Sequence, residues 1–321
     1  MTQSPHRPRV SIPMVTFRHE AWVAQAIQSV VDQSLEDWEI VLADDASDDR
    51  TIAVAQGLAG TCEGPHGPRL RILEHGPKFG PRQNYMRALR ACRGEFVAQL
   101  DGDDFFVDPD KLSKQVRFLE DNPDCSGVFG AWLETDAEGQ NGVLTPGFGL
   151  NGVERFSASD FGPYCVTTSV VVMFRNGLFG DFPDWYVQVD VGDWPLHVLN
   201  TMHGGDYGYL SDVLSAHRNH GAGVWTQRSE VEKAASAVRT QDLFLQHLPK
   251  ELTEAMLPKM FGANRYRAQQ HMDRKQYAVA LPFLDWCADH HLCKGPYRYL
   301  RKDRRKARWR AFWASKLGFG V

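Results

Sequence analysis

The first 120 residues alternate short apolar runs with stretches of helical periodicity, and that alternation limits the fold more than any other feature. Val10–Thr16 (VSIPMVT) reads as a buried strand in spite of Pro13. Residues 21–31 then carry Trp22, Val23, Ala26, Ile27 and Val30 at helical spacing. Trp38 to Ala43 is a second strand, and Thr51 to Leu58 a helix with Ser47 to Asp49 as N-cap candidates. Leu70 to Leu73 is a short third strand. Gly80 to Cys92 is a helix with Pro81 near its start and Gly94 past its end, and Glu95 to Leu100 is a fourth strand. Strand and helix alternating at this spacing predict an α/β unit: a mostly parallel, Rossmann-like sheet with helices on both faces. No GxGxxG follows the first strand and there is no GxxxxGK[ST], which argues against dinucleotide and P-loop chemistry.

The fourth strand runs into Leu100-Asp101-Gly102-Asp103-Asp104-Phe105-Phe106-Val107-Asp108-Pro109. A helix follows, Asp110 to Glu120, opened by Asp108-Pro109. Three carboxylates within four residues therefore fall at the C-terminal end of a buried strand, where open α/β sheets place ligands. Like charges packed together repel unless a cation neutralises them, and hard oxygen donors suit Mg²⁺ or Mn²⁺. Spacing alone equally describes a solvated acidic turn capping the next helix.

Composition is that of an ordinary globular protein: 321 residues, 43% hydrophobic and 24% charged, long enough for about two domains. The net charge of −4 does not advertise nucleic-acid binding, but it is unevenly spread. Residues 291–321 hold ten Lys/Arg against one acid, Asp303, a net +9; the first 290 hold 26 basic and 39 acidic side chains, a net −13. Neither an apolar leader nor an 18-residue apolar run is present, so a cytoplasmic protein that does not span the membrane is expected. The six cysteines (62, 92, 125, 165, 287, 293) show no CxxC pair and read as reduced thiols. Cys287, His290, His291 and Cys293 cluster without a common zinc spacing and read as a helix end.

Beyond Cys125 the pattern changes. Ser126 to Leu133 and Val166 to Phe174 read as strands around a Gly-rich irregular loop, Gly139 to Gly152. Asp190-Val191-Gly192-Asp193-Trp194-Pro195 leads into a helix over Leu196 to Asn200, and Tyr207 to Leu210 and Val213 to Arg218 suggest two short strands. Helical character takes over after Trp225, in Ser229 to His247, Glu251 to Met260 and Arg267 to Asp289.

Four segments in this order resemble the inverting nucleotide-sugar glycosyltransferases of family 2 type, with the GT-A fold. They are VSIPMVTFRHEAWVAQAIQSVVDQSLEDWEIVLADDASDD, NYMRALRACRGEFVAQLDGDD, TTSVVVMFR followed by VGDWPL, and AHRNHGAGVW. The likeness spans about residues 9 to 226. It implies a GT-A domain over 1–225, with a nucleotide-sugar half (9–125) and an acceptor half (126–225), and a helical C-terminal region over 226–321. It further implies transfer of a sugar from a nucleotide-sugar, a UDP-sugar first, to a hydroxyl of a saccharide or lipid-linked saccharide acceptor, as in bacterial surface polysaccharide synthesis. The cofactor would be Mn²⁺ or Mg²⁺, the metal that a diphosphate leaving group requires.

Carried over by position, the resemblance makes Asp193 the general base, with Asp190 its competitor; either could instead cap the helix that follows. Asp103 and Asp104 become metal contacts, with Asp103 also near the ribose and Asp101 in support, while Gly102 admits the ligand to the backbone. Asp45 corresponds to the family's base-reading carboxylate, and the alternative is an N-cap for the next helix. Thr16, Phe17 and Arg18 lie where the base is held. Asn84, and less clearly Arg82, stand at a helix start suited to phosphate. His217, Arg218 and His220 match a late basic segment, His220 as a metal contact, with Gly221 and Gly223 permitting a lid.

The terminal stretch Arg298 to Lys316, RYLRKDRRKARWRAFWASK, combines nine positive charges with Trp309, Phe312 and Trp313, and Leu317 extends the same side. It reads as an amphipathic helix for an anionic membrane surface through 298–317, peripheral on the inner face of the cell membrane, or as a helix packing its aromatics on the core. No nucleic-acid partner is expected. The alternatives for the whole chain are a nucleotidyltransferase, disfavoured because Phe17-Arg18-His19-Glu20 is not a Gly-rich basic loop, and a nucleotide-sugar binder without catalysis.

Overall fold

A computed structural model describes residues 6–74, 76–145, 154–223, 225–290 and 298–316, the side chains of 298–300 and 313–316 excepted. These residues divide into two compact units, one drawn from 1–157, 166–187 and 199–221, the other from 158–165, 188–198 and 222–321.

The first unit is built on strands β1 (Val10–Thr16), β2 (Trp38–Asp44), β3 (Glu63–Gly64), β4 (Gly67–Pro68), β5 (Leu70–Ile72), β6 (Phe96–Ala98), β7 (Phe105–Phe106), β8 (Cys125–Thr135), β9 (Val143–Thr145), β10 (Arg155–Phe156), β11 (Met173–Arg175) and β12 (Asp206–Arg218). Its helices are α1 (Val23–Val31), α2 (Thr51–Gly57), α3 (Pro81–Ala91) and α4 (Lys111–Asp121). The main sheet runs β10-β12-β8-β11-β6-β1-β2-β5, with β7 on β12 and β9 on β8; β3 and β4 form a separate hairpin. β6, β1, β2 and β5 are parallel, as the alternation predicts, and most paired residues lie in parallel ladders. β11 enters antiparallel between β6 and β8, where the chain inserts a return strand into the sheet.

Burial explains the elements. Ile12, Met14, Ile40, Leu42, Phe96 and Val97 are fully enclosed, and α1 lays Val23, Ala26, Ile27 and Val30 into the core. Each of the larger side chains contributes roughly 1.5–3 kcal/mol by that burial. Pro13 lies past the end of the β1–β6 ladder, which covers Val10 and Ser11 only.

Several boundaries differ from the sequence reading. Val166 to Phe174 is not one strand: Ser169–Val171 forms a 3₁₀ turn, and only Met173–Arg175 pairs. The two short strands read at 207–210 and 213–218 are one, β12, whose register against β8 shifts between Tyr209 and Val213. The Gly-rich loop contains β9, paired with Trp132 to Glu134, and its residues 146–153 lie outside the described residues. The N-cap of α2 is Arg50; Asp49 instead accepts from the Thr51 amide and hydroxyl.

The second unit is helical: α5 (Ala158–Phe161), the first turns of α6 (Asp193–Gly204, whose residues from Leu199 belong to the first unit), α7 (Glu230–His247), α8 (Lys250–Asp273), α9 (Tyr277–Asp289) and α10 (Arg298–Lys316). α7 starts on a reciprocal cap between Ser229 and Glu232. α8 runs on through 261–266, where the sequence reading left a break, and ends before the left-handed Lys275. α10 packs on α9 through the buried Ala307, with Arg304 and Arg308 on Asp285 and Arg310 on the Tyr277 hydroxyl. Trp309 and Phe312 are 63% and 53% exposed, so these aromatics are not packed into a core. Trp313's side chain and Leu317 lie outside the described residues, as do 291–297 with His291 and Cys293; Cys287 is buried in α9. No helix among the described residues is long and apolar enough to cross a membrane.

Candidate active site

The acidic turn leaves β6 and lies against β1. Gly102 donates its amide to Val15 O at 2.9 Å, and Asp104 N bonds back to Asp101 O at 3.1 Å. A Cβ on Gly102 would sit 2.5 Å from Thr16 Cγ2 and 3.0 Å from His19 Nδ1, so glycine is required here by protein packing. The turn brings ligand oxygens of Asp101, Asp103 and Asp104 within 4.8 Å of one another.

The two later carboxylates are held in different electrostatic states. Asp104 is 3% exposed, and burial together with the neighbouring charge of Asp103 pushes its carboxyl up to about 7. Its Oδ1 accepts the Arg218 amide at 2.8 Å. Burial also pushes Asp103 up, but the bond with His220 and the charges of His19 and His220 outweigh it and hold this carboxyl below its ordinary value. His220 Nε2 lies 3.0 Å and His19 Nε2 3.6 Å from Asp103 Oδ2. Burial lowers His19 in turn. Trp22 closes over His220 with ring centroids 4.1 Å apart, and the Nδ1 atoms of both histidines are buried with no hydrogen-bond partner among the described residues. The buried Arg218 guanidinium braces the turn from Asp103 O (2.7 Å), Ala137 O (2.8 Å) and Gln25 Oε1 (2.6 Å).

These residues fit a divalent cation. Three hard oxygen donors converge, and burial together with the charge of Asp103 forces Asp104 towards its neutral form, a penalty that a cation offsets. The group that converges is carboxylate only; His220 reaches the turn through Asp103.

The other residues implied by the resemblance are placed as follows. Thr16, 2% exposed, donates to Asp44 Oδ1 at 2.8 Å. Phe17 carries Lys78 Nζ at 3.7 Å and Arg18 Cζ at 5.2 Å from its ring centre. Arg18 adopts φ 58°, and both its Nε and Nη2 lie 2.6 Å from Asp48. Asp45 is 3% exposed and accepts the amides of Phe79 (2.7 Å) and Gly80 (3.0 Å), and so closes the loop before α3; α2, the next helix, is not capped by it. Asn84 is buried between Ala43 O (2.7 Å) and Arg87 Nη2 (2.9 Å), and Arg82 Nη1 donates to Val187 O at 2.8 Å. His217 pairs with Glu134 at 2.8 Å; burial alone would lower it, but that bond and the nearby carboxylates raise it to about 9. Gly221 has φ 75°, and residue 224 lies outside the described residues.

In the second unit, Asp193 is the first residue of α6, and its Oδ1 accepts the Trp194 amide at 2.8 Å. Asp190, its competitor, is tied to Arg228 (3.1 Å) and to Arg239; burial pushes its carboxyl up, but these cations and a bond from Ser236 hold it low. A strongly paired carboxylate is a poor proton acceptor, which weighs against Asp190 as the base.

The sequence reading missed His19 and Trp22. The sequence places His19 only within Phe17-Arg18-His19-Glu20, a stretch that is not a Gly-rich basic loop, and Trp22 only as an apolar helix position. Their one sequence signal was adjacency to Phe17 and Arg18 at the strand's end.

The family model for glycosyl transferase family 2 matches residues 11–167. That match spans β1, the acidic turn and β8. Residues 11–167 belong to glycosyl transferase family 2. An uncharacterised protein of Mycobacterium tuberculosis is 29% identical over 220 residues, 67% of this chain and 60% of its own length. The chain thus spans less than two thirds of that relative. A Campylobacter jejuni GalNAc(5)-diNAcBac-PP-undecaprenol β-1,3-glucosyltransferase is 32% identical over 157 residues, 48% of this chain and 47% of its own. Among solved structures, residues 1–349 of S. aureus TarS in complex with UDP-GlcNAc superpose with a TM-score of 0.66 at 16% identity, over 97% of this chain and 92% of that one. The chain therefore has the GT-A fold that the resemblance implied, with a helical C-terminal region.

Proposed function

We propose that this chain is an inverting, metal-dependent glycosyltransferase that moves a sugar from a UDP-sugar to a hydroxyl of a saccharide or lipid-linked saccharide acceptor. The acidic turn carries the reading: Asp101, Asp103 and Asp104 converge at the end of a buried strand, with Asp104 raised and Asp103 held low. Asp103 and Asp104, with His220 behind Asp103, would hold Mn²⁺ or Mg²⁺. When bound, the cation supplies neutralisation of the leaving diphosphate. The nucleotide-sugar half, 9–125, contributes Thr16, Phe17, Arg18, Asp45 and Asn84 to the nucleoside side; the acceptor half, 126–225, contributes Asp193. The acceptor oxygen attacks the anomeric carbon from the face opposite the diphosphate. Its proton passes to Asp193, the new C–O bond forms, and the electron pair of the broken bond leaves with the diphosphate. TarS with UDP-GlcNAc and the C. jejuni transferase named for a PP-undecaprenol-linked saccharide support the donor and acceptor classes.

Transfer assays with and without EDTA, on the parent and on Asp193→Asn, test this reading. It requires loss of transfer in both; full transfer by Asp193→Asn removes Asp193 from the role of base.

We also propose that α10 rests on anionic lipid. Its exposed Trp309 and Phe312 stand among cations, of which Arg304 and Arg308 pair with Asp285. Each Lys or Arg near such a surface contributes about 1 kcal/mol.

A further inference from the structure

A second cluster of metal-binding side chains lies in the helical unit, and its chemistry differs from that of the acidic turn. Asp193 and His197 are four residues apart on α6, one helical turn, and so share a face. Cys165 comes from the segment after α5. The three present a carboxylate oxygen, an imidazole nitrogen and a thiol sulfur within 4.8 Å of one another.

The frame around them is fixed. Trp194 Nε1 donates to Phe161 O, Gln241 Nε2 to Pro163 O at 2.8 Å and Arg267 Nη1 to the same oxygen at 3.3 Å. Arg267 also stacks over Tyr164, 5.3 Å from its ring centre. Four contacts on three residues, Phe161, Pro163 and Tyr164, therefore set the approach of Cys165 to α6. His197 is fully buried beside Phe161, with ring centroids 5.6 Å apart, while Cys165 and Asp193 are half-buried, which leaves a route from solvent. Burial keeps the imidazole neutral, the form that binds metal.

We propose that Cys165, Asp193 and His197 form a binding site for a Zn²⁺-type transition-metal ion, and that its occupation takes Asp193 out of use as a base. The second clause rests on the function proposed above; the first does not. Tetrahedral Zn²⁺ with bonds of roughly 2.0–2.3 Å holds its ligands about 3.3–3.7 Å apart, a modest contraction of the cluster. A thiolate–imidazole–carboxylate set favours Zn²⁺ or Co²⁺ over Mg²⁺, whereas the all-oxygen turn at 101–104 favours the hard ions. Three protein ligands leave a fourth position for water. On binding, the thiol proton leaves to solvent and the thiolate pair forms the metal bond.

The test titrates Co²⁺ into the full chain after chelation and follows the thiolate-to-cobalt charge-transfer absorbance, then displaces Co²⁺ with Zn²⁺. One equivalent with that band is expected in the parent and in Asp104→Asn. Loss of the band is expected in Cys165→Ser, and at least tenfold weaker binding in His197→Gln. Circular dichroism checks that both variants fold; Cys165, being half-buried, is the decisive one. A band that persists in Cys165→Ser, or none in the parent at millimolar Co²⁺, overturns the site. Zinc added to Mn²⁺-saturated enzyme should then inhibit the parent and spare Cys165→Ser, each measured against its own zinc-free rate. A confirmed band without inhibition keeps the metal site and removes Asp193 from catalysis.

Discussion

His220 Nε2 stands 3.0 Å from Asp103 Oδ2, bringing the chain's late basic segment onto the acidic turn more than a hundred residues earlier. In the site proposed above, that contact would let His220 position Asp103. His220→Ala should weaken Mn²⁺-dependent UDP binding about 10–100-fold. His220→Gln, which keeps a side-chain donor, should recover part of the loss. Isothermal titration of both variants checks this; equal affinities in the parent and His220→Ala would refute it.

Gly102 has no room for a side chain, with Thr16 Cγ2 2.5 Å from the place of a Cβ. Gly102→Ala should cost roughly 1–3 kcal/mol through strain against β1. Gly262, inside α8 with nothing within 4 Å, gives the opposite case: Gly262→Ala should stabilise by about 0.5–1 kcal/mol. Urea unfolding of the pair reads both signs.

Lys111 lies buried on α4, its Nζ 2.6 Å from Gln115 Oε1. Burial pushes the ammonium down to about 7 from its ordinary 10.5. Between those values the unfolded chain holds a proton that the fold has lost, so stability from this group rises with pH through that window. Lys111→Met removes the slope. Its stability relative to the parent should therefore be higher at pH 7 than at pH 9.5, and a pH-independent difference in unfolding free energy would contradict the assignment.

The exposed Trp309 and Phe312 on α10 should enter an anionic bilayer. Flotation with phosphatidylglycerol vesicles should recover the parent, and less of it at high salt. Replacing both residues with Glu should abolish recovery; unchanged flotation would exclude α10 as the contact.

Much of this architecture is legible in sequence because β1, β2 and β6 are short, largely apolar runs whose burial is nearly complete, as at Ile40 to Leu42. Val166 to Phe174 was misread for the same reason. Its apolar side chains are buried as expected, but only Met173–Arg175 finds partners in β6 and β8. Periodicity reports burial, whereas pairing depends on neighbours far away in the chain. The site shows the same division. Three aspartates in four residues announce themselves, whereas Asp45's hold on the Phe79 and Gly80 amides depends on where a later loop returns. His19 carries no local mark beyond its place after Phe17 and Arg18, and the fold sets it beside Asp103.

In the function proposed above, the acidic turn holds a metal-bound nucleotide diphosphate. Calorimetric titration of UDP into the full chain with Mn²⁺, repeated in EDTA and with Asp104→Asn, tests it most directly. The account predicts binding in the presence of Mn²⁺ that weakens at least tenfold under both other conditions. Equal affinity in all three would contradict it.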